Sequence, residues 1–127
     1  YFKKDNFPFR LMYNDMLILS KEINERSLVV QFHFMAHFYS NFLLKTKNPN
    51  SKFIDFIYET RETDFFNDIN NHLEQNTYNK IYIVFPHESG EETFNKINLI
   101  TFADYKLEKT SPGKGSITFE YSAIKNN

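Results

Sequence analysis

The chain has no cysteine and no tryptophan, and only 3 of its 127 residues are glycine. Without cysteine there is no disulfide and no thiol catalysis, and the chemistry suits a reducing compartment. No glycine precedes Gly90. An excess of either charge is missing too. Lys and Arg total 15 against 16 for Asp and Glu, a net charge of −1. This leaves no electrostatic footprint for nucleic acid and no polybasic patch for a membrane surface. No apolar run reaches transmembrane length. The opening residues lack the basic segment, apolar stretch and small-residue cleavage site of a signal peptide. Tyr1 in place of Met leaves room for residues ahead of it.

What the chain does have is aromatic mass: 15 Phe and 8 Tyr, 18% of the sequence. Each buried aromatic removes about 150–250 Å² from water, so a few of them dominate a core. They also favour strands. The length fits one domain over residues 1–127, which needs neither metal nor disulfide to fold.

Most of the pattern has period two. Phe9–Leu19 carries two apolar clusters around Asn14-Asp15, which reads as a first strand or hairpin, with a short helix as the alternative. Leu28–Tyr39 reads as a long strand with Leu28, Val30, Phe32 and Phe34 on one face. Its other face is half polar and suits solvent, a loop or a neighbouring subunit. Phe53–Glu59, Lys80–Phe85, Phe94–Leu107 and Ile117–Ala123 follow as strands. Lys109–Gly115, with Ser-Pro-Gly-Lys-Gly, reads as a loop.

One segment has helical period. Over Thr63–Gln75, Phe65, Phe66, Ile69 and Leu73 form a narrow stripe, with Thr63 as N-cap and Asp64 near the positive end of the dipole. Strands, one helix and more strands predict a mainly β domain: a small antiparallel β-barrel or sandwich with a single α-helix on its side.

Candidate chemistry is sparse. On a strand, His33 and His37 stand roughly 13 Å apart at about 3.3 Å per residue, too far to share one zinc ion. His87-Glu88 beside Gly90 offers acid–base groups without a nucleophile. Ser111–Gly115 lacks the spacing of a phosphate loop and precedes a strand. The expectation is no catalytic residue, no metal and no cofactor.

Phe53–Phe66, Lys80–Phe85, Ile100–Lys106 and Ile117–Ile124 together give a strand running into a helix with paired aromatics, a short strand, a charged hairpin and two further strands. In this order Phe53–Lys125 resembles the Hcp-like inner-tube proteins of type VI secretion systems, in their divergent Bacteroidetes-type branch. The resemblance implies a structural, non-enzymatic subunit that forms or adapts the tube as a hexameric ring. Its partners would be itself and other secretion-apparatus proteins, with no nucleic acid and no membrane. It implies a cytoplasmic protein, secreted by the apparatus it forms. Ring-to-ring or partner contacts would fall in the Ser40–Lys52 loop and the His87–Glu92 turn, at Ser40, Thr46, Asn48, Asn50, His87, Glu88 and Glu91. Family members carry a glycine-rich loop where this chain has Asn48-Pro49-Asn50, a departure that bears on ring stacking. Two other readings stand beside it. One is a small ligand-binding or enzymatic α+β domain with a pocket at Phe34, Tyr58 and Tyr105. The other is an immunity or adaptor protein with one protein partner.

Overall fold

In the computed structural model, the described residues are 7–31, 51–55, 62–86 and 102–124. They form two helices and five strands: α1 (Phe7–Glu22), β1 (Ser27–Gln31), β2 (Lys52–Asp55), α2 (Glu62–Gln75), β3 (Lys80–Pro86), β4 (Tyr105–Pro112) and β5 (Ser116–Ala123). The strands make one sheet in the order β2-β1-β3-β5-β4. β1 runs parallel to both β2 and β3, whereas β5 is antiparallel to β3 and to β4. The sheet is mixed and open and carries two helices, not the expected antiparallel barrel or sandwich with one.

The reason lies in the central strands. Every residue of β1 is buried, as are Ile81–Val84 of β3. A strand buried on both faces needs cover on both, which is the setting of parallel strands in α/β proteins. Leu28, Val30, Ile81 and Ile83 pack with Ile69 of α2, and Leu73 joins them. Val29, Tyr82 and Val84 pack on the opposite face with Met16, Leu19 and Ile23 at α1. Val29, on the half-polar face expected to meet solvent, a loop or a neighbouring subunit, therefore lies beneath α1; His33 and the later residues of that face lie outside the described residues.

α1 replaces the strand or hairpin expected at Phe9–Leu19, and the helix alternative holds. Met16, Leu19, Ser20 and Ile23 are buried at helical spacing. Ser20 Oγ donates back to the Leu17 carbonyl at 2.8 Å, which lets a hydroxyl sit in the buried stripe. Pro8 stands in the first turn, where a missing N–H costs nothing, and Lys21 complements the dipole in the last turn. α2 begins one residue before its expected N-cap, within ordinary boundary scatter. Ile69 is fully buried as expected; the Phe65 and Phe66 side chains lie outside the described residues.

Other boundaries also move. Residues 94–101 of the expected strand Phe94–Leu107 lie outside the described residues, and within its described part Phe102 and Tyr105 bridge around a turn at Ala103-Asp104. Ala103 is thus exposed in a turn instead of sharing a strand face with Tyr105. β4 runs on through Lys109–Pro112, read as loop, and the turn narrows to Gly113–Gly115. β5 follows its alternation, with Ile117, Phe119 and Tyr121 buried. The remainder of the expected strands Leu28–Tyr39 and Phe53–Glu59 lies outside the described residues. Among the described residues, no helix is long and apolar enough to cross a membrane.

Candidate functional site

A half-open groove of about 180 Å³ runs between α1 and the β4–β5 hairpin. Asp15, Ile18, Leu19 and Glu22 supply one wall. Their spacing of three, four and seven residues places them on a single helix face. Ser116, Thr118 and Glu120 reach the groove from alternate positions of β5, as period two requires. Tyr82 of β3 lies between them, opposite Glu120 in the ladder.

Asp15 closes one end. Its Oδ1 accepts the Lys114 backbone N–H at 3.2 Å, and its Oδ2 accepts the Gly115 N–H at 2.8 Å and the Ser116 hydroxyl at 2.9 Å. The turn itself is tied by Gly113 N–H donating to the Ser116 carbonyl at 2.7 Å. Glycine at 113 permits the approach. A Cβ there would stand 2.6 Å from the Asp15 carboxylate carbon. Successive turn N–H groups form an anion-binding concavity, and the anion here is the chain's own carboxylate. The segment noted for its faint likeness to a phosphate loop thus serves as the receptor of an internal clasp.

At the other end the polar groups are less well matched. Lys80 Nζ pairs with Glu120 Oε2 at 3.1 Å. Neither Glu120 Oε1 nor the Glu22 carboxylate has a hydrogen-bonding or ionic partner among the described residues. Tyr82 is 3% exposed and lines the groove. Burial, followed by the carboxylates of Glu120, Glu22 and Glu25, holds its phenol well above the usual range. It therefore remains a neutral hydroxyl, able both to donate and to accept.

A second constellation stands at the amino ends of β1 and β3. Tyr78 stacks on His72 with ring centroids 5.5 Å apart, and its hydroxyl meets His72 Nε2. The Arg26 guanidinium carbon is 5.0 Å from the Tyr78 ring centroid, within cation–π range. The Tyr105 hydroxyl donates to the Tyr78 carbonyl and accepts the Tyr78 N–H, both at 3.1 Å. Desolvation, then the charges of Lys52 and Arg26, lower the His72 pKa. These contacts pin the entry of β3 to α2 and β4, so their evident work is structural. Tyr105, expected to line a ligand pocket, instead spends its hydroxyl on the Tyr78 backbone.

The expected contact residues Ser40, Thr46, Asn48, Asn50, His87, Glu88 and Glu91 lie outside the described residues, as do His33, His37, Phe34 and Tyr58. Of the groove residues, only Ser111–Gly113 fall in a segment weighed for chemistry from sequence, and that segment lacks the spacing of a phosphate loop. The signal was there in the helical spacing of residues 15, 18, 19 and 22, but reading Asn14-Asp15 as a turn concealed it. No group of three or more His, Cys, Asp or Glu side chains able to hold a metal ion occurs among the described residues. No protein-family model, curated protein or solved structure matches this chain.

Proposed function

We propose that this chain is a non-catalytic binding domain of the adaptor or immunity kind, which engages one protein partner through the groove between α1 and the β4–β5 hairpin. Ile18 carries the reading, an apolar side chain left exposed on the groove wall. The groove's form supports the same reading. Asp15 fixes its shape before anything binds, and Ile18 on its rim is 58% exposed. Exposed apolar surface beside fixed polar groups is the mixture found in contact surfaces.

The ring-subunit reading, which rests on the resemblance to inner-tube proteins, asks for a closed barrel. An open mixed sheet with helices over both faces is a different scaffold, so the adaptor reading leads. A photo-crosslinking residue at position 18, with a control at the exposed position 106, tests it in the native cell. We expect one dominant adduct with a different protein from position 18 alone. Adducts only between copies, in ring-sized particles, would favour the tube subunit instead. Equal labelling from both positions would leave the groove without a partner.

A further inference from the structure

We propose that the corner where α2 meets β3 is an acid-sensitive joint: His72 holds the Tyr78 hydroxyl through Nε2, and a proton added at Nε2 releases it. The groove plays no part in this. His72 is half-buried in the last turn of α2, and Tyr78 is buried just ahead of β3. Their rings stack, and the Tyr78 hydroxyl meets Nε2. Tyr78 is itself fixed from behind, because the Tyr105 hydroxyl of β4 bonds both its N–H and its carbonyl. The next residue, Asn79, donates its N–H to the Arg26 carbonyl at 2.9 Å and accepts the Ala123 N–H at 3.0 Å. One ring contact thus ties α2 to a node that joins the ends of β1, β3, β4 and β5.

The charges around His72 give the proton its effect. Arg26 stands just ahead of β1, with its guanidinium carbon 5.0 Å from the Tyr78 ring centroid, and Lys52 opens β2; both act on His72. Both side chains carry donors only, so the neutral imidazole supplies the acceptor and the Tyr78 O–H donates to it. Imidazolium has an N–H on each nitrogen. Protonation therefore removes the acceptor and sets a third positive charge beside two. Desolvation of the ring acts in the same direction. Two effects oppose it. The negative end of α2 offers about half an elementary charge, against two full ones. An imidazolium stacked on Tyr78 would gain a cation–π contact, but that ring already lies under Arg26. Glu25 and Glu74 are exposed, and neither is among the described groups that act on His72.

The test is NMR and amide hydrogen exchange on the full chain from about pH 8 to about pH 5, the span in which histidine changes charge. At the upper end the imidazole nitrogen shifts should place the proton on Nδ1 and leave Nε2 bare. As His72 takes up its second proton, cross-relaxation between the His72 and Tyr78 rings should fall about fivefold, the equivalent of one neutral hydrogen bond. Protection of the Tyr78, Asn79 and Ala123 amides should fall by the same factor at the same midpoint. His72→Gln keeps an acceptor that does not titrate and should abolish the step. Lys52→Met removes one exposed cation and should carry the step upward together with the His72 midpoint, which keeps the proposal testable if the glutamine variant does not fold. A proton on Nε2 at the upper pH, or a ring contact that persists while His72 titrates, would overturn the inference. So would a step that survives His72→Gln, or one that stays in place in Lys52→Met.

Discussion

Replacing Asp15 by alanine should cost this fold about 2–4 kcal/mol, from three hydrogen bonds at roughly 0.5–1.5 kcal/mol net each. The bonds to the Lys114 and Gly115 N–H groups lie near the surface, where water replaces part of the loss. The Ser116 hydroxyl is different. Ser116 is 1% exposed, so it loses its partner where water cannot easily follow. Gly113 supplies an internal control. Gly113→Ala would press a methyl group into a carboxylate held on three sides, an overpacking cost of about 1–3 kcal/mol. No described residue other than glycine has positive φ, and no described glycine has it either, so the cost comes from crowding alone. Once Asp15 is alanine the obstruction is gone, and Gly113→Ala should then cost less than about 0.5 kcal/mol. Urea denaturation of the two single variants and the double variant closes the cycle. A coupling near zero, or a loss below about 0.5 kcal/mol for Asp15→Ala, would mean that the clasp does not hold α1 to the hairpin.

Ile69→Ala should destabilise the domain by about 2–5 kcal/mol, the range for a truncated core aliphatic, because Ile69 is fully buried between α2 and the sheet. Equilibrium denaturation reads this directly, and a loss near that of a surface substitution would show that α2 does not pack there. Alkali should weaken the fold. Burial pushes the Tyr121 phenol up to about 12 and the Tyr82 phenol higher than usual, whereas unfolded tyrosine ionises near 10. The native state therefore keeps protons that the unfolded chain releases. Their contribution is complete below about pH 10 and declines above it, by about 1.4 kcal/mol per pH unit per group. Absorbance at the phenolate band should show both tyrosines silent until unfolding; early ionisation of either would refute this. His72 should titrate below the ordinary histidine range in an NMR experiment, and Lys52→Met should raise its midpoint by removing one of the charges that lower it. A folded pKa below the unfolded one means that the associated stability is present above the ordinary histidine pKa and is lost as pH falls through the lowered value. An unmoved midpoint in the variant would remove Lys52 from the account.

Sequence by itself determined the local periods. The stripe at Ile69 and Leu73 is helical, β3 is a short apolar strand closed by Pro86, and β5 alternates with Ile117, Phe119 and Tyr121 inward. Each of these signals fits within a dozen residues, and no competing turn chemistry interrupts it. The first helix was less legible, since Asn14-Asp15 between apolar clusters satisfies a turn as readily as the solvent side of a helix. The continuous apolar run in β3 carried a further message, burial on both faces, but could not say what provides the cover. Only the tertiary structure decided that β1 and β3 run parallel, that α1 and α2 cover opposite faces, and that the sheet stays open. It alone brought Asp15 to Ser116, which lie 101 residues apart in sequence. The physical reason is one of range. Side-chain period is set by backbone geometry within a few residues, whereas strand partners and the groove between α1 and the hairpin are set by which distant apolar faces find cover together.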